Sequence, residues 1–458
     1  MKKNLILLIM LIPIFFLHTV TLEESIITAK QNNQEQLAEK SGLEAVGWSK
    51  KNAFTNFLPK VSFNSSLVRI DAETYDELSS VYKIPIFNAS GIPTGDYIPF
   101  SAAALSGGYY KTTYTNDITV QLPLFNGGKE ILGYQLAGLA KQQVEKALIG
   151  KEKDLDYAVA STYMGLLKLQ DLKILSEKSL NSTLSHLNSV QKKYEVGTAK
   201  YSDVLQWQVN KMNNETSIHE IDNSINELKG YWKNLLGAEG NELPDEIDIG
   251  SFDNEINNLA ALNSDEILQK IVVFLEEVKQ TSVTIQNLNL VNRMMEKNYK
   301  MAVGNFLPAL NLQYTYQIES DDKWNLQGED NWNLAALFSV PIFQSGANFT
   351  NLKKVKYELK KTEYETAWIR ENYLVAAENT IRKLITNARI VLNNQTALEL
   401  AEENHQIIND LFEQDMVTNT ELLDAEIMLF SNEMNLVSSY YDFILTKYEI
   451  KKYTQQED

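Results

Sequence analysis

The sequence predicts an α+β protein with an internal duplication, in which long helical hairpins alternate with pairs of β-strands. Three motifs recur in the same order in two halves of the 458-residue chain. "NFLP" stands at 56–59 and 305–308, "PLF" at 123–125 matches "PIF" at 341–343, and "KYEVGTAKYSDVLQ" matches "LFEQDMVTNTELLD". Chance can repeat one tetrapeptide, but a repeated order of three motifs indicates a duplication.

The spacing of the motifs separates a segment of fixed length from one of variable length. The separation from Pro123 to Tyr194 equals that from Pro341 to Phe412, whereas the separation from "NFLP" to the proline is much longer in the first half. The fixed segment lacks proline and carries apolar residues at helical spacing, so it predicts coiled-coil helices over 129–193 and 347–411. The variable segment predicts a loop that tolerates insertion.

Each long helix is expected to turn and run back as an antiparallel hairpin. Ser202 precedes one returning helix, and Thr418 with Glu421 forms a capping-box pattern before the other. The returning arms are predicted as helices over 203–235, 265–303, 421–452 and 22–54. An acidic irregular stretch over 236–262 links the two repeats, and the chain termini should meet level with it.

Four segments alternate between apolar and polar residues and predict β-strands over 59–70, 116–125, 308–319 and 331–342. They form two hairpins, 59–125 and 308–342. In the last strand the apolar row is Trp332, Leu334, Ala336, Phe338, Val340 and Ile342. An apolar face opposite a polar face, with aromatic residues at the strand ends, is typical of a transmembrane barrel.

Four strands cannot close such a barrel, because an open edge in lipid leaves backbone groups unpaired. Two copies would supply eight strands and three copies twelve. The polar inner row favours a lumen wide enough for water, and so a homotrimer with twelve strands. The full expectation is therefore an α+β membrane protein.

The amino-terminal segment and the composition restrict the class further. Two lysines and an apolar run indicate a signal peptide over 1–20, with an uncleaved membrane anchor as the alternative. The chain has no cysteine, so it has neither a disulfide framework nor a thiolate metal site. A net charge of −18 without a basic stripe argues against nucleic-acid binding.

The repeated motifs, both hairpin tips and the stretch from "TLEESIITAKQNN" onward resemble the TolC-like outer membrane efflux proteins (outer membrane factors). The resemblance implies two structural repeats, 21–235 and 263–458, each with a helix, a β-hairpin and a long helical hairpin. It implies a trimer with a barrel in the outer membrane and an α-barrel in the periplasm. The partners would be a periplasmic adaptor and an inner-membrane pump of RND or ABC type, for efflux or type I secretion. Residues 71–114 would form an outside loop.

The candidate functional residues lie at the two hairpin tips, where the family binds its adaptor. The first tip carries Val196, Gly197 and Thr198. The second departs from the family pattern, since Asp415 stands where glycine is usual, among the candidates Glu413, Met416 and Val417. Asp tolerates left-handed backbone better than most residues. Two interpretations of Asp415 stay open, a cation-sensitive gate and a solvated turn residue.

The sequence supports two other classes of function less well than an exit duct. The four histidines are scattered without an i, i+4 pair, and no phosphate loop or nucleophile motif appears, so no enzyme, cofactor or metal site is predicted. A structural helical rod or trimeric surface adhesin is the alternative, which the alternating strands disfavour. The sequence favours no particular transported substrate, so export of drugs, metals or proteins is equally consistent with it.

Overall fold

A computed structural model describes residues 19–101, 111–237, 243–321, 323–324 and 326–454. Nearly all of the predicted signal peptide lies outside these residues, as do 102–110 of the predicted outside loop and 238–242 of the acidic stretch. Among the described residues, no helix combines the length and the apolar character needed to cross a bilayer.

The described chain forms two compact units. The helical unit holds residues 19–46, 141–292 and 362–454, and the strand unit holds 47–140 and 293–361. The strands are β1 (Thr19–Val20), β2 (Lys60–Arg69), β3 (Val81–Phe87), β4 (Pro93–Ser101), β5 (Thr112–Asn126), β6 (Leu243–Pro244), β7 (Ala309–Ser320) and β8 (Glu329–Ser339). The helices are α1 (Leu22–Asn32), α2 (Gln34–Thr55), α3 (Ala72–Ser79), α4 (Lys129–Glu195), α5 (Tyr201–Leu236), α6 (Asp253–Ala260), α7 (Ser264–Thr281), α8 (Val283–Gly304), α9 (Ala347–Glu413) and α10 (Asn419–Lys451).

The duplicated long helices have equal lengths. Helices α4 and α9 contain 67 residues each, and both ends of α9 correspond to those of α4 in the alignment that overlays "PIF" on "PLF". At 1.5 Å per residue, each is roughly 100 Å long. The α+β fold class is confirmed, with long helices and strands placed close to where the sequence predicts them.

The shorter helical arms differ from the sequence prediction, because each is broken in two. The predicted helix 22–54 is interrupted at Asn33, and 265–303 is interrupted at Ser282, both with extended backbone. The Asn33 side chain accepts the backbone N–H groups of Glu35 and Gln36, which starts α2 afresh. Ser282 corresponds to Asn33 in the alignment that overlays the two "NFLP" motifs, so the break itself is duplicated.

The core of the helical unit brings the amino-terminal strand to the acidic stretch. Strand β1 pairs in parallel with β6, and the Tyr163 hydroxyl donates to the Asp245 carbonyl oxygen at 2.8 Å beside this pair. Burial raises the pKa of Tyr163 to about 12.

The stretch predicted to be irregular also contains a 3₁₀ turn and α6, which forms because Ile256 is fully buried against the core. The described chain therefore begins beside the acidic stretch, whereas the two termini themselves, for which the sequence predicts a meeting at this level, lie outside the described residues.

The strand unit contains one antiparallel four-stranded sheet in the order β2-β5-β7-β8. One face is apolar, with Val61 opposite Val120, Val120 opposite Tyr314, and Tyr314 opposite Leu334. The other face carries a polar ladder in which Asn64 donates to Asp117, and the hydroxyls of Thr119 and Thr315 lie 3.3 Å apart. Val68 and Leu337 are apolar exceptions on the polar face.

The strand boundaries correct two predictions. Strand β8 ends at Ser339, so Val340 and Ile342 are not part of its apolar row. Pro341 cannot donate to a ladder, and Ile342 is 94% exposed beyond the strand. Strand β5 begins at Thr112 instead of at 116, inside the predicted outside loop 71–114, which also contains α3 and the hairpin β3–β4.

Two glycines meet at the junction between strands and helices in this unit. Gly127 has a φ of 61°, and a Cβ placed on it would collide with the backbone carbonyl of Gly304. A Cβ on Gly304 would in turn lie 2.7 Å from the carbonyl oxygen of Gly127. The close approach therefore requires glycine on both sides.

We expect Gly127→Ala to lower the free energy of unfolding by at least about 2 kcal/mol, since left-handed strain adds to a backbone collision. The control is Gly128→Ala, whose φ is also positive at 75° but whose Cβ meets no atom within 4 Å. That variant should lose only about 1 kcal/mol. Denaturant titration in detergent, followed by circular dichroism, measures both. Equal losses would contradict the collision.

Candidate functional site

The first hairpin tip ends α4 with a left-handed glycine. Gly197 has a φ of 81°, and the backbone N–H of Thr198 donates to the Lys193 carbonyl oxygen at 2.8 Å. The Thr198 hydroxyl and the Ala199 N–H donate to the same oxygen, so this carbonyl of the last helical turn accepts three hydrogen bonds. Val196 is 75% exposed, and no atom lies within 4 Å of a Cβ placed on Gly197. The tip therefore presents an open, apolar corner.

The second tip repeats this geometry with an aspartate in place of the glycine. Asp415 has a φ of 54°, and Met416 N–H donates to the Leu411 carbonyl oxygen at 2.9 Å, as Thr198 does to Lys193. Asp415 thus adopts a left-handed backbone, which Asp tolerates better than most residues. Met416 is 68% exposed, Glu413 is the last residue of α9, and Val417 is half-buried.

The start of the second returning helix matches its prediction, but the first does not. Thr418 and Glu421 form the predicted capping box, with reciprocal hydrogen bonds between side chain and backbone. Helix α5 begins at Tyr201 rather than after Ser202. The residue before it is Lys200, whose backbone N–H donates to the Asp203 carboxylate, so Asp203 replaces Ser202 as the capping side chain.

The structure joins the two tips through Lys193. Its Nζ lies 2.8 Å from Asp415 Oδ1 and 4.6 Å from the centre of the Phe412 ring. Because Asp415 is 82% exposed, this ion pair contributes little to stability in water. It nevertheless places the Asp415 carboxylate against a cation of the neighbouring hairpin.

A small apolar core holds the hairpins together behind the tips. Trp207 of α5 and Leu422 of α10 are fully buried with Val190 and Val204. The Trp207 indole N–H donates to the Asn419 side-chain oxygen, so the one polar atom of this ring is satisfied within the core. The tips therefore sit on a packed base that spans both hairpins.

Next to this core, three side chains converge on one carboxylate oxygen. Glu426 Oε1 accepts the Ser182 hydroxyl at 2.9 Å and lies 2.9 Å from His186 Nε2 and 3.0 Å from His405 Nε2. The His186 ring stacks on Trp207, with ring centroids 4.9 Å apart. The cluster thus ties α4, α9 and α10 together. Over the residues that the structure describes, no group of three His, Cys, Asp or Glu is arranged to hold a metal ion.

Hydrogen bonding determines the charge state of Glu426. Burial acts to raise the pKa of this carboxyl, but the hydrogen bonds from His186, Ser182 and His405 outweigh burial and lower the pKa to about 2. Glu426 is therefore ionised throughout the neutral and mildly acidic range. A depressed pKa stabilises the folded state above the ordinary value of 4.5, and this stabilisation is lost as the pH falls toward 2.

We expect Glu426→Gln to lower the free energy of unfolding at pH 7 by about 2 to 3 kcal/mol, because the pKa shift and three hydrogen bonds to a charged acceptor are lost. The difference from the wild type should shrink between pH 4.5 and 2, where the wild-type carboxylate takes up a proton. Thermal unfolding in detergent at several pH values measures it. Glu403→Gln, at an exposed position of α9, is the control and should change little. If the difference in unfolding free energy between Glu426→Gln and the wild type does not vary with pH, the lowered pKa of Glu426 is contradicted.

Sequence reasoning missed Lys193, Trp207 and the Glu426 cluster. Ser182, His186 and His405 lie 21 to 244 positions from Glu426 in the chain, so no local spacing reveals the cluster. The predicted tip residues are brought to neighbouring turns, but their role in binding a partner stays a prediction.

Comparisons with known proteins point to one group of channels. No family model matches the chain. Outer membrane protein TolC of Vibrio cholerae serotype O1 is 22% identical over 324 residues, which cover 68% of this chain and 70% of TolC. The Campylobacter jejuni CmeC outer membrane channel superposes with a TM-score of 0.73 at 15% identity, over 95% of this chain and 87% of CmeC. The fold is that of the TolC-like outer-membrane channels.

A second solved structure of this group agrees. The outer membrane protein VceC from Vibrio cholerae superposes with a TM-score of 0.70 at 16% identity, over 94% of this chain and 95% of VceC. The resemblance to TolC-like proteins predicted from the sequence is confirmed. Identity this low, together with nearly full coverage, means that the TolC-like architecture is kept while most side chains differ.

Proposed function

We propose that the chain is an exit duct in the outer membrane, assembled as a homotrimer that passes substrates from an inner-membrane pump to the outside. The observation that carries this proposal is the four-stranded sheet, which exposes apolar side chains on one face and polar side chains on the other. Phe63, Trp332 and Phe338 are each more than 60% exposed on the apolar face. Lipid is the solvent in which such a face is stable.

The sheet edges support assembly from several copies. Strands β2 and β8 each pair on one side alone within the described chain, which leaves a row of backbone groups open. In a bilayer each such group costs several kcal/mol, so the edges must pair with other copies. Three copies supply twelve strands, and the ladder of Asn64, Asp117, Thr119 and Thr315 would then line a polar lumen.

The similar proteins support this location and class. CmeC is described as an outer membrane channel, and TolC and VceC as outer membrane proteins. A channel needs positioned walls rather than catalytic groups, in accord with a chain that is not an enzyme. The outer membrane, with helices reaching into the periplasm, is the compartment that fits such a protein.

The hairpin tips are the proposed contact with a periplasmic adaptor, which would connect the duct to a pump of RND or ABC type in efflux or type I secretion. Val196 and Met416 are exposed apolar side chains at adjacent turns, and apolar corners of this kind suit a helical hairpin of a partner. Asp415 as a cation-sensitive gate stays a prediction, in which a multivalent cation would have to compete with Lys193.

We expect Leu312→Arg, on the apolar face, to cost roughly 2 to 4 kcal/mol near mid-membrane, and Gln313→Arg, on the polar face, to cost much less. The yield of assembled trimer from the membrane fraction measures the difference. Both residues lie on β7 and differ by one position, so each is the control for the other. Equal yields would refute the assigned faces.

Replacing Gly197 with Leu should abolish capture of the adaptor while the trimer stays assembled, because a bulky side chain would fill the open corner. Gly91→Leu is the control, since Gly91 also has a positive φ of 76° and open space around it but lies between β3 and β4. A photocrosslinking residue at Val196, tested in cells with each variant, provides the measurement. If no adaptor is captured in the wild-type background, the contact is wrong.

Single-channel conductance separates the duct from the alternative of a structural rod or adhesin. Purified trimer in a planar bilayer should give long-lived steps of conductance, which neither alternative produces. Absence of conductance from correctly assembled trimer would overturn the proposed function.

A further inference from the structure

Charge is distributed unevenly along the strand unit. The chain as a whole has 42 Lys and Arg against 60 Asp and Glu. The four segments that adjoin the sheet, 47–60, 129–140, 293–304 and 347–361, reverse this balance, with twelve Lys and Arg against three Glu. The mainly helical segments that adjoin the sheet are therefore basic, although the protein as a whole is strongly acidic.

The basic residues of α9 share one exposed side of the helix. Lys353, Lys356 and Lys360 follow the spacing i, i+3, i+7 and are all exposed. Within the described part of the chain, none of the three forms an ion pair. We name them the junction lysines. At 1.5 Å per residue, they lie roughly 10 to 20 Å along α9 from its first residue.

Exposed aromatic rings lie among these lysines. Phe349 is 57% exposed and Tyr357 is 67% exposed on the same side of α9, and Lys353 Nζ lies 5.3 Å from the centre of the Phe349 ring. At the end of α2, Lys51 Nζ lies 3.7 Å from the centre of the Trp48 ring, which is 64% exposed. Aromatic rings and lysines at the end of an apolar band are typical of the membrane–water interface, where the rings sit at headgroup level and the lysine stems extend toward water.

From this arrangement we infer that the junction lysines bind anionic phospholipid headgroups in the membrane leaflet nearest the helices. The inference rests on the proposed function, because it needs the sheet to lie in a bilayer. Two observations select this occupant. The patch is continuous along the chain with the apolar strands, and its charge complements a phosphate-bearing surface. A second copy of this acidic chain would also attract lysines, but it would leave the exposed rings no apolar layer to enter.

Spin-labelled phospholipids provide the test. Trimer is reconstituted in neutral phosphatidylcholine bilayers containing a trace of spin-labelled phosphatidylglycerol or phosphatidylcholine, and electron paramagnetic resonance measures the motionally restricted fraction of each. We expect phosphatidylglycerol to associate about fivefold more strongly at low salt, and this preference to fall with added salt. The triple variant Lys353→Gln, Lys356→Gln, Lys360→Gln should lose the preference.

The control is Lys229→Gln, Lys233→Gln, Lys270→Gln, three exposed lysines of the helical unit, and it should keep the full preference. Conductance of each preparation shows that the barrel is inserted. A conducting trimer without a preference for phosphatidylglycerol would overturn this inference alone. Equal preference in the two triple variants would also overturn it, as would a change in ion selectivity without a change in lipid preference. Absence of both conductance and restricted lipid would overturn the proposed function, and this inference with it.

Discussion

The outer backbone edges of β2 and β8, which have no partner within the described chain, are the constraint on which the rest of this structure depends. A four-stranded sheet with an apolar face is stable neither in water nor, with open edges, in lipid. In the proposed trimer, pairing between copies removes the edges, and the duplication gives each copy two antiparallel strand pairs, β2–β5 and β7–β8. The closely approaching glycines Gly127 and Gly304 show how little room there is where these strands become helices. The geometry of the junction is therefore tightly determined, while the hairpin β3–β4 at the other end of the strands is an insertion.

Within the helical unit, the two hairpins are held by contacts of very different strength. The buried base of Trp207, Leu422, Val190 and Val204 excludes water, and the Glu426 cluster adds charge-assisted hydrogen bonds next to it. The Lys193–Asp415 pair at the extreme end is exposed and weak. Strength therefore decreases toward the tips, and a partner that contacts the tips competes only with the weakest of these contacts.

Most of the architecture could be predicted from the sequence, because a weak pattern in one repeat is supported by the same pattern in the other. The long helices, the four strands and the Thr418–Glu421 capping box follow from periodicity and local residue chemistry. The breaks at Asn33 and Ser282 could not be predicted, since neither residue ends a helix by itself and each break depends on tertiary contacts, such as the hydrogen bond from Ser282 to the Tyr373 hydroxyl. The sequence predicts an apolar row that ends at Ile342 because the alternation continues past Pro341, although backbone pairing stops at Ser339. No sequence motif predicts the Glu426 cluster, because only the packing of α4, α9 and α10 brings its members together.

The equal length of α4 and α9 has a consequence for how such a chain can change over time. Each added residue turns the rest of a helix by about 100° and advances it by about 1.5 Å. A single insertion in one repeat would rotate Lys193 away from Asp415 and take Trp207 out of its place beside Leu422. A heptad added to both repeats at once would restore nearly the same facing. The length of the long helices can thus change only in steps of about two helical turns, and each step must occur in both repeats.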